Sequence, residues 1–189
     1  MDKKKLDILQ AAMQLFVEYG LHAVTVAKIA QKANVGIGTI YKHFDTKEDI
    51  VQAIWIWQKE AESEFVFKDF DLNASEDVKK QFYFIWRRVI EYFVKNTTEY
   101  YFSYQFAASP VLTEEIHDIA MKDLYKLDEI FEKGAAQGLF KPLSPSFLRL
   151  YTFSTINGWI LWTLDEEVEV TEDLIQLFLT MAWDAISIK

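Results

Sequence analysis

Apolar residues in this chain recur every three or four positions from one end to the other, the period of an α-helix. The two-residue alternation of a half-buried strand is nearly absent. Leu6, Leu9, Met13 and Phe16 share one helical face, and Gly20 follows where a left-handed cap would end it. Thr25 precedes a short second helix, VAKIAQKA, with Ile29 and Ala33 inward. Asn34 and Gly36 bracket a tight turn around Val35, and a third short helix runs from Ile37 to Phe44. Thr46 caps a fourth, with Asp49 in the capping-box position. Further starts are read at Ser75 before Glu76 and Asp77, Thr97 before Glu99, Ser109 before Pro110, Ser144 before Pro145, and Thr171 before Glu172 and Asp173. Hydroxyl caps followed by proline or acids are what the open N–H groups of a first turn favour. The expected fold class is all-α, with about nine helices.

Composition narrows what such a chain can be. With 51% apolar and 16% aromatic residues it can bury a substantial core, which excludes disorder. It has no cysteine, hence no disulfide framework, thiolate metal site or cysteine nucleophile, as suits a reducing cytoplasm. The first residues, MDKKKLDILQAAMQLF, are basic then apolar, but Asp7 and Glu18 interrupt them and no small-residue cleavage site follows, so they read as a helix and not a signal peptide. Leu150–Leu164 carries no charge and Leu174–Ile188 only Asp184. Both runs fall short of the roughly 20 residues a bilayer span requires, so burial within protein is expected and no membrane association.

The net charge of −9 is unevenly distributed. Residues 1–48 hold seven lysines against five carboxylates, a balance of +2, whereas residues 49–189 hold 13 basic against 24 acidic side chains, a balance of −11. A surface facing phosphates needs only local positive potential, and an acidic remainder would repel a polyanion and orient its docking. An ordinary acidic protein with a lysine-tipped terminus would show the same numbers.

Two short helices joined by a turn of three to four residues make the helix-turn-helix geometry, whose second helix enters the major groove of duplex DNA. Here the pair is Val26–Ala33 and Ile37–Phe44. Small Ala30 and Ala33 permit close approach, and Val35, Ile40 and Phe44 fill the wedge. The run TVAKIAQKANVGIGTIYKHFDTKEDIV resembles the DNA-binding signature of the TetR family of regulators. The resemblance covers about a quarter of the chain and implies double-stranded DNA as partner, with Thr25, Lys28, Gly36, Ile37, Gly38, Thr39, Tyr41, Lys42, His43 and Lys47 as contacts. Thr25 stands where its hydroxyl and the neighbouring amides of a helix N-terminus can meet a phosphate. Thr39, Tyr41 and His43 carry donors around the outer side of the third helix. Tyr41 could instead be a core aromatic with its hydroxyl at the rim, and His43 an ordinary surface histidine. Lys28 and Lys42 project from the two helices toward DNA or simply form a solvated face. Lys47 matches the family's phosphate-clamping lysine, and a cation in a first turn opposes the helix dipole. Two positions depart from the family pattern: Gly36, where serine is common, and Ile37, where a polar or basic residue is frequent. Ile37 either contacts a thymine methyl or packs on Ile40 one turn later.

Of the 25 residues from Phe82 to Phe106, 11 are aromatic, against about four expected from the chain average. Phe82, Trp86, Val89 and Phe93 share one face of a fifth helix, opposite Lys80, Arg87, Arg88, Glu91 and Lys95; Tyr100, Tyr101, Tyr104 and Ala108 form a second stripe. These rings can fill a core or line an apolar cavity for a small hydrophobic or aromatic effector, for which Trp86, Tyr104, Phe106 and Trp159 are the candidates. The last two helices are apolar almost all round, with Leu148, Tyr151, Thr155, Trp159 and Trp162 on one side of the first. A chain this small cannot wrap both, so a second copy is expected to cover them in a two-fold homodimer, setting two recognition helices on a palindromic operator. The expected organisation is a helix-turn-helix DNA-binding domain over 1–48 and an effector-binding and dimerisation domain over 49–189. The function expected is a cytoplasmic, ligand-responsive regulator, a repressor released by its effector. The alternative is a dimeric lipophile-binding protein or enzyme that keeps a DNA-binding-like head. No catalytic, cofactor or metal site is expected, because His22, His43 and His117 are scattered with no i, i+4 pair.

Overall fold

The computed structural model describes residues 2–71 and 77–188. They form ten α-helices: α1 (Lys3–Tyr19), α2 (Val26–Lys32), α3 (Ile37–Tyr41), α4 (Lys47–Phe67), α5 (Val78–Lys95), α6 (Thr97–Phe106), α7 (Glu114–Met121), α8 (Leu127–Ala136), α9 (Pro145–Asp165) and α10 (Glu172–Ile186). A 3-10 turn at Leu124–Lys126 leads into α8, and a single antiparallel bridge joins Phe140 to Ser187. The all-α class holds, with one helix more than the nine expected.

The capping chemistry explains most of these boundaries. Gly20 closes α1 at φ 77°, ψ 159°, a conformation open to glycine alone, with its N–H on Phe16 O. Thr25, Ser144 and Thr171 accept from the third residue of their helices. Thr46 and Asp49 complete the reciprocal box: Asp49 N–H donates to Thr46 Oγ1 at 3.1 Å and Thr46 N–H to Asp49 Oδ2 at 2.8 Å. Two starts differ from expectation: α6 opens at Thr97 itself, with Asn96 as its N-cap and no side-chain cap bond, and no helix follows Ser109 directly. Ser109 and Pro110 make a turn, Ser109 Oγ accepting from Val111 N–H, and the helix begins five residues later behind Thr113, whose Oγ1 accepts from Ile116 N–H. The start of α8 has no hydroxyl cap because the 3-10 turn feeds directly into it. Ser75 and Glu76, the expected cap and first acid of α5, lie outside the described residues. Asp77 takes the N–H of Lys80 on Oδ1, a bond that holds its carboxyl below the usual range.

The chain packs into two compact units, Met1–Ala61 with Asn96–Met121, and Glu62–Lys95 with Lys122–Lys189. Compactness therefore follows a different line from the division of roles expected at residue 48. In the first unit, α1 packs on α2 and α6, and α2 on α3. Its core joins Ile8, Leu9, Met13 and Phe16 of α1 to Ile29, Ile40, Phe44, Ile54, Phe102 and Phe106. Gln58 ties α4 to α6 by donating to Glu99 O and Ser103 Oγ, both at 2.7 Å.

In the second unit α5 lies against α8, α9 and α10. Phe82 is the hub, edge-on to Trp183 and Phe131 at 5.4 and 6.3 Å and tilted to Trp86 at 6.1 Å. The inward stripe of α5 is the one read from the sequence. On α9, apolar almost all round in the sequence, Leu148, Thr152, Ile156, Ile160 and Thr163 point inward, while Tyr151 and Trp162 face solvent. The two buried hydroxyls return to their own helix, Thr152 to Leu148 O and Thr163 to Ile160 O, which satisfies them without a partner helix.

Gly134 on α8 lies under the Phe140 ring, where an added Cβ would stand 2.1 Å from a ring carbon. A helical Gly→Ala change ordinarily gains up to about 1 kcal/mol, but overpacking against a ring held by Phe131 and Trp183 costs about 1–3 kcal/mol. Gly134→Ala is expected to lower the urea unfolding midpoint, and a raised midpoint would contradict this packing.

Candidate nucleic-acid interface

Thr25 caps α2, its Oγ1 accepting from Lys28 N–H at 3.2 Å. After α2 the backbone reverses through Asn34 at φ 53°, with Asn34 N–H on Gln31 O and Val35 N–H on Ala30 O. Gly36 is the N-cap of α3 at an ordinary φ of −69°. Only five residues are helical in α3, fewer than the eight read from the sequence, because Lys42 and His43 tighten into a turn toward the carbonyls of Gly38 and Ile40. Ile40 and Phe44, one turn apart, are 1% and 6% exposed and anchor it. The opposite side is thereby fixed outward. Ile37 is 47% and Tyr41 53% exposed, Gly38 and Lys42 are open to solvent, and Thr39 and His43 are half-buried. Tyr41 is thus a surface residue and not a core aromatic.

Lys28 is exposed, its Nζ 5.6 Å from the Tyr19 ring centroid, and with Leu15, Gln31 and Lys32 it borders an open cleft of about 360 Å³. Lys47 is held differently from the sequence expectation. Its Nζ donates to Leu21 O at 2.8 Å and Val24 O at 2.9 Å, so two of its three donors brace the α1–α2 loop against the first turn of α4. Those carbonyls compensate a cation that the helix dipole disfavours. One N–H remains for another acceptor.

The sequence reading left out the N-terminal end of α1. Asp2 Oδ2 comes within 3.9 Å of His43 Nε2, and Lys5 Nζ lies 5.5 Å from the Phe44 ring centroid, so the exposed Lys3 and Lys4 stand beside the end of α3. The signal was present in the lysine run at positions 3–5.

The four candidate effector residues do not gather within either unit. Phe106 is a core residue of the first, stacked on Phe102 at 4.6 Å and 6.3 Å from Phe16; Tyr104 of the same helix is exposed. Trp86 and Trp159 belong to the second unit. Trp159 stacks on Phe178 at 4.6 Å, and Trp86 is fully buried with its Nε1 hydrogen unpaired. Among the described residues no cluster of His, Asp and Glu is arranged to hold a metal ion, and no helix is long and apolar enough to cross a membrane.

A capped short helix, a tight turn and a second short helix with one open flank define a helix-turn-helix protein. Residues 8–54 match the family model for bacterial regulatory proteins of the tetR family, and residues 77–187, more than half of the chain, match the tetracyclin repressor-like C-terminal domain. The chain belongs to the TetR family. The Bacillus subtilis "Fatty acid metabolism regulator protein" is 36% identical over 78 residues, which is 41% of this chain and 36% of that one. The chain thus aligns with only about a third of that relative's length. A TetR family transcription regulator from Shewanella sp. PV-4 superimposes with a TM-score of 0.88 at 22% identity, covering 100% of both chains. The Bacillus subtilis regulator FadR, solved in complex with stearoyl-CoA, gives 0.74 at 22% identity over 95% of each chain. At that identity the likeness concerns the fold.

Replacing Lys47 by methionine keeps its length and removes both bonds to the loop. Lys47→Met is expected to cost about 1–3 kcal/mol of folding stability in denaturant titration. Unchanged stability would show that the ammonium is not engaged as described.

Proposed function

We propose that the chain is a homodimeric, effector-controlled transcription repressor that binds duplex DNA through α2 and α3, with residues 1–48 as the DNA-binding part and 49–189 as the effector-binding and dimerisation part. The observation that carries this reading is the open flank of α3. Buried Ile40 and Phe44 hold Ile37, Gly38, Tyr41 and Lys42 outward on a single helix, the element a major groove admits. Thr25, Lys28, Thr39, His43 and the remaining donor of Lys47 surround that flank, and Lys3 and Lys4 extend its positive charge. Phosphate contacts set the register and α3 reads base edges. Such a role places the protein in the cytoplasm, with the DNA.

Dimerisation follows from surface that a monomer leaves wet. On α9, Phe147, Tyr151, Gly158 and Trp162 follow one another at helical spacing and all face solvent; Leu177 and Met181 do the same on α10. A second copy meeting this face through a two-fold axis would space two α3 helices about 34–36 Å apart or somewhat more, on a palindrome. Trp159 and Phe178, by contrast, stack on each other inside one copy.

The effector we infer is a long-chain acyl compound. The aromatic interior of the second unit suits an apolar chain. The buried Trp86 N–H offers a donor to an acceptor such as an acyl carbonyl, and the fatty-acid regulators named above point the same way. The stack of Phe102 and Phe106 against Phe16 gives a displacement of α6 a route to α1 and the head.

DNA upstream of the gene that encodes this chain should be retarded in an electrophoretic assay, more weakly as salt rises, and released by a long-chain acyl-CoA. Tyr41→Ala is expected to weaken binding by about tenfold while leaving the fold intact. Binding that ignores sequence, or wild-type affinity in Tyr41→Ala, would contradict the DNA reading. Trp162→Glu and Leu177→Glu, exposed in one copy, are expected to sediment as folded monomers; intact dimers would move the interface elsewhere.

A further inference from the structure

The tip of α3 carries two glycines, Gly36 at its N-cap and Gly38 inside it. Gly36 has an ordinary φ, and a Cβ built there meets only Thr39 Oγ1 at 3.9 Å; at Gly38 a Cβ meets nothing within 4 Å. At the N-cap glycine is an accepted residue, but Gly38 lies inside the helix, where glycine is unfavourable relative to alanine, and alanine would have free space there. The absence of a side chain is therefore explained by what approaches from outside. Between the glycines stands Ile37, nearly half exposed, on the face that also carries exposed Tyr41 one turn later. Ile37 is outside the core that buries Ile40, so packing on its neighbour does not account for it. It can neither donate nor accept a hydrogen bond. The one apolar feature that a base edge presents in the major groove is the C5 methyl of thymine.

We propose that Ile37 is a specificity-determining residue that reads a thymine methyl in each operator half-site, and that Gly36 and Gly38 keep the surrounding helix surface low enough for it to reach. The inference rests on the DNA-binding reading and deepens it. The phosphate-facing lysines set affinity, while this apolar contact selects a T·A pair at one position without any hydrogen bond. Polar readout from the tip of α3 is correspondingly sparse. Thr39 is the only residue with a polar side-chain group from Gly36 to Ile40, and it is half-buried.

The test begins with duplexes enriched by the full-length protein from a random library. Each thymine of the enriched half-site is then replaced by deoxyuridine, which removes the methyl group and nothing else. For the wild type, one such replacement in a single half-site is expected to weaken binding about fourfold, the worth of one buried methyl. Ile37→Ala, which stays folded because the side chain is exposed, should be indifferent to that same replacement and keep the wild-type response to replacements elsewhere. Gly38→Ala should melt no lower than the wild type yet bind the enriched duplex more weakly. An enriched site with no thymine, a wild type indifferent to every methyl, or an Ile37→Ala variant that still senses the methyl would overturn this inference and leave DNA binding standing. Failure to enrich any sequence would overturn the DNA-binding reading and this one with it.

Discussion

A five-residue helix cannot hold itself together in water. One turn of hydrogen bonds does not offset the entropy of fixing its backbone, so α3 exists because Ile40 and Phe44 are buried against α1, α2 and α4. That anchoring also decides which side of α3 faces out. Rotating the helix by a quarter turn would expose Ile40 and submerge Tyr41. The surface offered to a partner is thus set by the inner face, and everything proposed for recognition depends on those two side chains staying buried.

The head was legible in the sequence because its local signals agree with its global packing. Thr25, Asn34 and the Thr46–Asp49 pair each name a boundary through a specific hydrogen bond or backbone angle, and the bonds are there. The resemblance of this run to a family signature added the partner. Elsewhere the signals were local and the answer was not. A hydroxyl before a proline at Ser109 gave a turn, since nothing in the dipeptide states how soon a helix begins. The inward side of α9 could not be chosen from the sequence because apolar residues surround that helix, and periodicity cannot choose among faces that are all apolar. Lys47 shows the same limit at the site: the carbonyls of Leu21 and Val24 that hold its ammonium lie more than 20 residues away in sequence.

Aromatic richness was a further ambiguous signal. Rings are used both to fill cores and to line cavities, and the excess between Phe82 and Phe106 is divided between two packed interiors. Phe102 and Phe106 belong with the head, Phe82 and Trp86 with the second unit. This division matters for regulation. The helix expected to carry ligand contacts instead stacks on α1, which makes α6 a structural partner of the DNA-binding head and leaves Trp86, with its buried N–H, in the second interior.

The central claim is that the outer flank of α3 enters a groove of duplex DNA. It is tested most directly by nuclear Overhauser contacts between an enriched duplex and protein labelled at isoleucine methyls and tyrosine rings. The account predicts contacts to DNA protons from Ile37 and Tyr41 and none from Ile40. Contacts confined to other parts of the molecule, with the Ile37 and Tyr41 signals unmoved on binding, would contradict it.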